Sequence, residues 1–418
     1  MKMAAEQDMP EAQYYVGLCL LNGWVVEQNQ TAGFNWIKKA ADQNFAEAQN
    51  ELGRCYYHGN GCDIDYKKAF ECFTLSAEQG HSEVQFNLGH AYHFAEGAEK
   101  DLDAAIYWYT KSAEQGNAGA KNNLALAIEE KNGRSDETVC LIRKSAEAED
   151  EVAQYNLGRR YSSGDGVTRD ASMAVYWYRK SANKDFAPAQ SLLGLAYLQG
   201  VGVEKDEAKG FKWISKAATQ KDTIGVNTLG KCYENGWGVA ANPQKAFQYY
   251  KEAADLGYDY ALLNVAGCYY LGIGVPQSFT DAFVWAKKAC DKNIREAYRV
   301  VGEAYQYGDG TKKDLASAIK YYTKAAELLE DYKEDIYFNI AFCYNELSNK
   351  AKAVEYYRKA AELGSAKAQY NLALLYLYGD GVAKDMEKCK SLLRKCANQN
   401  KDQEVRQRAQ AALNSLNL

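Results

Sequence analysis

Proline is nearly missing from this chain: its 418 residues hold only 4, beside 4 histidines and no stretch rich in glycine and serine. Proline and Gly/Ser clusters are the usual marks of breaks and linkers. Their scarcity, with no charge block and no shift of composition, predicts one continuous object where length alone would suggest two or three domains. An excess of basic residues is also lacking. Lys and Arg number 50 against 55 Asp and Glu, a formal net charge of -5, which is the wrong sign for neutralising a phosphate backbone, so no nucleic acid is expected as a partner. No run approaches the roughly 18 consecutive apolar residues of a membrane span. The first residues also lack a basic region followed by an apolar one. The expectation is a soluble chain with no membrane span.

What the chain has in abundance is itself, repeated. Laid against its own sequence, it aligns Gly17, Gly53, Gly89, Ala125, Gly158, Gly194, Gly230, Ala266, Gly302, Ala341 and Ala373, at successive spacings of 36, 36, 36, 33, 36, 36, 36, 36, 39 and 32. Such a period is the signature of a tandem array, and we number its repeats 1 to 11 by these residues. A Gly-x-Gly follows at Gly59/Gly61, Gly164/Gly166, Gly200/Gly202, Gly236/Gly238, Gly272/Gly274, Gly308/Gly310 and Gly379/Gly381. Its middle residue is Asn60, Asp165, Val201, Trp237, Ile273, Asp309 or Asp380. A phosphate or calcium loop does not tolerate Val, Trp and Ile at one place. The motif therefore reads as a turn between helices, where glycine supplies φ > 0.

Each repeat carries two helical stripes. Ala153, Leu157, Gly158 and Tyr161 mark the first, and Ala174, Trp177, Tyr178, Ser181 and Ala182 the second, with three-to-four-residue rather than alternating spacing. The Ala174 slot holds Ala69, Ala105, Ala246, Ala282, Ala318 and Ala353 in other repeats, as close helix approach requires. Trp36, Trp108, Trp213 and Trp285 share the Trp177 slot and are expected to be core knobs. One such pair buries too little to stand alone, so the repeats are expected to stack into an elongated superhelix.

The pattern "EAQ…LGxxYxxGxGVxxDxxKAxxWYxKAA", clearest at Ala153 to Ala182, Ala189 to Ala218 and Ala368 to Ala397, resembles the Sel-1-like repeat, a relative of the tetratricopeptide repeat with a longer internal turn. The resemblance covers essentially the whole chain. It implies an all-α, right-handed solenoid of about eleven helix-turn-helix repeats in a single array. It also implies a scaffold or adaptor that binds other proteins rather than a catalyst, monomeric and without cofactor. Repeat 4 lacks the Gly-x-Gly and is three residues short, and repeat 10 has a tetratricopeptide-length turn at Asn345 to Lys350; repeat 4 is the expected place for a bend. Residues 1–10 read as the tail of a preceding second helix, as in a fragment whose earlier repeats or signal peptide have been removed. Residues 403–416 read as a capping helix.

Some secreted members of the family pair cysteines between repeats. Here Cys19, Cys55, Cys232, Cys268 and Cys343 share one slot with alanines, and Cys290, Cys389 and Cys396 also sit in alanine slots. They read as small core residues, with free thiols, which favours a reducing, cytoplasmic setting. Cys62, Cys72 and Cys140 fit this less neatly. Ser317 and Lys320 match a Ser-x-x-Lys motif whose companion motifs are missing. The candidate surface is instead the face of the first helices. Asn87, Asn123, Asn156, Asn264, Asn339 and Asn371 recur two positions before the aligned residue; carboxamides both donate and accept, as the backbone of an extended peptide demands. The alternative is that they bridge neighbouring helices. Phe86, Tyr155, Phe338 and Tyr370 lie beside that row, and Tyr57, Tyr270, Leu198 and Leu377 one turn on. Two further candidates are an edge interface at Trp24 and Trp237, in turn positions that elsewhere hold Asn or Asp, and a metal or catalytic patch at His58, His90 and His93.

Overall fold

The structure is a computed structural model and describes residues 2–399 and 402–416. Among these it contains 24 helices and no strand, from Lys2–Glu6 to Gln403–Ser415. They pair as the repeat predicts: Glu151–Ser163 with Ala171–Asn183 in repeat 5, and Ala261–Leu271 with Phe279–Asp291 in repeat 8. No helix is long and apolar enough to cross a membrane. The chain divides into two compact units, Met1–Ala217 and Ala218–Leu418.

Within a repeat, the Gly-x-Gly is a turn with a defined task. Gly164 adopts φ 81° and returns its amide to the Arg160 carbonyl, ending the first helix in the left-handed conformation that glycine favours. The Asp170 amide then donates to the Tyr161 carbonyl at 2.8 Å, while the Asp170 carboxylate accepts from the Ser172 and Met173 amides and starts the second helix. The aspartate of the repeat motif is thus an N-cap, as at Asp65, Asp101 and Asp385. The second glycine serves packing between repeats: a side chain on Gly202, Gly274 or Gly310 would strike the Ala171, Pro243 or Phe279 carbonyl at the start of the preceding second helix.

The seam of each pair corrects the sequence reading of the tryptophans. Only Trp177 is buried, whereas Trp36, Trp108, Trp213 and Trp285 are half-buried, with lysine ammoniums 4.1 to 4.8 Å over Trp36, Trp213 and Trp285. The knob is the next residue along, because a rotation of about 100° turns it from the lysine-covered flank into the seam. Tyr109, Tyr250 and Tyr322 are fully buried there. Each lies flat on the aligned glycine: a methyl group on Gly89 would sit 2.8 Å from the Tyr109 ring, and one on Gly230 would sit 2.7 Å from that of Tyr250. Phe73, Ile37 and Ile214 do the same over Gly53, Gly17 and Gly194. The glycine of the "LG" signature is therefore a socket for a large side chain 20 residues on.

Seven of the eleven thiols are buried, Cys19, Cys62 and Cys72 are half-buried, and Cys140 is exposed. Burial pushes Cys55, Cys72, Cys290 and Cys343 up to about 12, which keeps them protonated and poorly nucleophilic. Helix Gln403–Ser415 lays Val405, Ala409 and Leu413 on the last repeat.

Candidate interaction surface

The asparagine row is half-buried along the first helices. Asn156 donates through Nδ2 to Asn122 Oδ1 at 3.1 Å and Asn264 to Asn227 Oδ1 at 2.7 Å, each reaching the preceding repeat, with Asn87 aimed likewise at Asn50 at 3.5 Å. Asn371 donates to the Tyr357 hydroxyl at 3.2 Å and Asn123 bonds that of Tyr109. Asn339 lies half-buried in the same register. These contacts are those of helix-bridging residues. Each carboxamide has two N–H groups and two oxygen lone pairs, so a bridge uses only part of its capacity.

The aromatic residues one turn on follow a second inter-repeat rule. The Tyr57 hydroxyl donates to Glu96 at 2.9 Å and that of Tyr270 to Asp309 at 3.3 Å, each acid standing in the turn of the next repeat, 39 residues away. Burial and the Glu96 carboxylate together push the Tyr57 hydroxyl up to about 12. Phe86 and Phe338 lean on the knobs Tyr109 and Tyr357, with ring centres 5.9 and 5.8 Å apart. Tyr155 packs on Tyr178 and Phe186, under Arg159 at 5.8 Å. Tyr370 is half-buried against the last core cluster.

Clefts open beside both tyrosine–acid pairs. The one between repeats 2 and 3 has a volume of about 280 Å³ and is lined by Arg54, His58, Glu83, Asn87, His90 and Glu96 with Phe70 and Phe86. Its equivalent between repeats 8 and 9, about 270 Å³, is lined by Leu263, Ala266, Gly267, Ala286, Val300 and Tyr307, with Glu303 and Asp309 the only acids. Burial raises Glu303 above the usual carboxylate range against the opposing pull of Arg299.

The three histidines are not gathered around a common point. His90 Nδ1 meets Glu96 at 3.0 Å, whereas His93, 4 % exposed, turns to Glu130 at 3.0 Å and to the Tyr109 hydroxyl at 3.5 Å. His58 is exposed beside Tyr57. Among the described residues no three His, Cys, Asp or Glu side chains are grouped to hold a metal ion. Ser317 donates to Asp314 at 2.7 Å as part of a helix start. Trp24 is 56 % exposed and is followed by Val25, also exposed, at φ 67°. Trp237 is half-buried.

A further polar row escaped the sequence reading. The glutamine of "EAQ" is buried: Gln13, Gln85, Gln154 and Gln369 donate at 3.1 to 3.3 Å to carbonyls of Ala5, Ala77, Ala146 and Ala361, eight residues earlier at the end of the preceding second helix. Four of this row, Gln13, Gln49, Gln85 and Gln369, accept at 2.7 to 2.8 Å from Gln43, Gln79, Gln115 and Gln399 of their own repeat. Its signal was the recurrence of a polar residue among alanines on a core stripe.

The Sel1 repeat family model matches ten segments: 10–45, 46–81, 82–117, 152–186, 187–222, 227–258, 259–294, 295–328, 338–365 and 366–401. The chain belongs to the Sel1 repeat family. Repeat 4, the divergent one, is the gap between matched segments. Among solved structures, the Sel1 chain is similar to c5321, described as a protective antigen of uropathogenic Escherichia coli strains displaying an SLR fold. The two share 32% identity over 87% of this chain and 79% of that one, with a TM-score of 0.68. A Sel1 repeat protein from Oxalobacter formigenes matches at 24% identity over 79% and 86% of the two chains, TM-score 0.40. Yeast Tom70 matches at 14% identity over 97% and 95%, TM-score 0.36. No curated protein matches the sequence.

Proposed function

We propose that this Sel1 repeat chain is a non-enzymatic scaffold that receives an extended segment of a partner protein along its first-helix face. The observation that supports the reading is the recurring cleft between consecutive first helices, bordered in both places by a tyrosine–acid pair and, between repeats 2 and 3, by Asn87 of the row. Carboxamides with hydrogen-bonding capacity to spare suit a peptide backbone, and half-exposed aromatic rings suit its side chains. The scatter of the histidines over separate partners favours this reading over metal or catalytic chemistry at His58, His90 and His93. Trp24, exposed at the first turn, extends the proposed surface to the edge of the array, with Trp237 in the equivalent turn.

Photo-crosslinking tests it. A photoreactive residue replaces Asn87, Asn156 or Asn264 one at a time, and the chain is offered peptides selected on it from a display library. Efficient crosslinks from these positions, with none from the exposed second-helix residue Glu71, are expected. Capture confined to second-helix positions, or no peptide selected at all, overturns the reading.

A further inference from the structure

The cleft of repeat 8 is lined by small side chains at places where its siblings carry large ones. Ten repeats place Ile, Leu, Phe or Tyr in the knob slot, and repeat 8 places Ala286 there, opposite Ala266. A second omission coincides with the first. The residue after the aligned one is Leu18, Arg54, His90, Leu126, Arg159, Leu195, Lys231, Glu303, Phe342 or Leu374 in the other repeats, and Gly267 in this one. Glycine inside a helix is destabilising relative to alanine, and no neighbour demands it, since a side chain on Gly267 would meet nothing within 4 Å. One omission leaves no large side chain in the seam and the other leaves none at the mouth of the cleft.

The cleft measures about 270 Å³, and Ala266, Ala282, Ala286 and Val300 are among its walls. An engineered apolar cavity of about 150 Å³ already holds benzene. The sibling repeats show what fits such a seam. In repeat 9 the Tyr322 ring fills it and its hydroxyl donates to Gln306 at 2.6 Å, and in repeat 7 that of Tyr250 donates to the Glu234 carboxylate. The empty cavity has carboxylate acceptors too, Glu303 and Asp309, while the exposed rings of Tyr270 and Tyr307 flank its opening. We propose that the cavity between repeats 8 and 9 receives one tyrosine side chain from the partner segment, the ring taking the place of the absent knob and the hydroxyl donating to the acidic rim. This rests on the reading of the first-helix face as a peptide-binding surface.

Calorimetric titration of the full chain with p-cresol, the tyrosine side chain as a free molecule, tests the cavity itself. Saturable one-site binding is expected, weakened about ten-fold or more in Ala266→Gly/Ala286→Tyr, which restores the socket and knob of the sibling repeats and keeps the unfolding midpoint at or above that of the parent. Gly267→Leu, which lays a side chain across the mouth, is the second blocking variant should the first fail to fold. Absence of saturable p-cresol binding overturns the proposal, and toluene bound as tightly as p-cresol overturns the assignment to tyrosine. Peptides selected on the parent chain separate this inference from the reading beneath it. Their loss on the blocked variants supports both. Equal affinity for parent and blocked chains overturns the tyrosine site and leaves the peptide surface standing, whereas p-cresol binding with no peptide selected overturns the peptide surface and the partner as the source of the tyrosine.

Discussion

Repeats 3 and 8 occupy the same period and fold into the same pair of helices, yet they are fastened differently. In repeat 3, Tyr109 covers Gly89, Gln85 links Gln115 to the Ala77 carbonyl, and Ser112 donates to the Ser82 carbonyl at 2.7 Å. In repeat 8 the corresponding residues are Ala286 and Ala266, Leu262 and Lys292, and Ala289. Its core relies on Leu262, Ala289, Ile294 and Val301 instead. Directional hydrogen bonds fix register because a misplaced donor is left unsatisfied at a cost of about 1–3 kcal/mol. Apolar packing tolerates a looser fit and therefore a cavity. The clefts follow suit: where repeats 2 and 3 present Arg54, His58 and His90, repeats 8 and 9 present Gly267, Leu271 and Glu303. One backbone position thus carries a charged cleft in one place and an apolar one in another, which is how a repeat array acquires distinct subsites without changing its fold.

The most forceful way to break the comparison is to turn repeat 9 into a copy of repeat 8. Tyr322→Ala removes a fully buried ring and strands Gln306. The expected cost is about 3–5 kcal/mol, read as a fall in the urea midpoint of the transition that includes repeat 9. The variant is also expected to gain a second p-cresol site. A loss below about 1 kcal/mol would show that the knob does not hold the seam.

Alkali probes the same knobs together. Burial raises Tyr178 and Tyr357 to about 12 from an unfolded value of about 10, so the folded state holds these protons more tightly. The stability they confer is complete below about pH 10 and is lost as pH rises toward 12. Each contributes roughly 3 kcal/mol at about 1.4 kcal/mol per unit. Phenolate absorbance should therefore rise in two stages, the exposed tyrosines first and the knobs only with loss of helical circular dichroism. Ionisation of all tyrosines in one stage near pH 10, with the helices intact, would contradict the seam.

Much of this was legible beforehand. The 36-residue period, the Gly-x-Gly turn at Gly164 and Gly166, and the alanine slots of the second helix were all readable, because each depends on backbone geometry that the local sequence must accommodate. The knob was misassigned by one position because Trp213 and Ile214 are both large and apolar, and periodicity alone does not say which lies in the seam and which under Lys216. The asparagine row was visible as a row, but its bridges to Asn122 and Asn227 depend on the distance between repeats. The glutamine row had no reading at all, since its hydrogen bonds, to a carbonyl eight residues earlier and to a glutamine 30 residues on in the same repeat, form only once the helices have packed. The clefts were illegible for a related reason. A cleft lies between helices of neighbouring repeats, and the small residues that make one of them apolar, Gly267 and Ala286, look like ordinary variation until the seam is known.

A smaller change carries repeat 3 toward repeat 8 at the glutamine row. Gln85→Ala removes two hydrogen bonds, from Gln115 Nε2 and to the Ala77 carbonyl, while Gln115 keeps the Lys111 carbonyl at 3.5 Å and the Ala77 carbonyl keeps the Gly80 amide at 3.0 Å, and a loss of about 1–3 kcal/mol for the two bonds together is expected from urea unfolding. Gln115→Ala in the same background should then add little, because the partner is already gone. Fully additive losses would mean that the two glutamines act independently.

The smallest effect runs in the opposite direction and tests whether the row is a fastening at all. Repeat 5 is defective by this rule: Gln154 donates to the Ala146 carbonyl at 3.1 Å, but its Oε1 is buried with no hydrogen-bond partner among the described residues. The residue that supplies this partner in repeats 1, 2, 3 and 11 is Gln43, Gln79, Gln115 or Gln399; in repeat 5 the slot holds Lys184. Lys184 turns away to the carbonyl and carboxylate of Glu149, at 2.6 and 3.2 Å. That ion pair is open to solvent, with Glu149 76% exposed, and such pairs contribute roughly 0–1 kcal/mol. Satisfying a buried acceptor is worth about 1–3 kcal/mol. Lys184→Gln should therefore stabilise the chain by about 1 kcal/mol, a gain that disappears in the Gln154→Ala background. A gain that persists there would come from removing the lysine rather than from completing the row, and a loss would show that Gln154 is satisfied by other means.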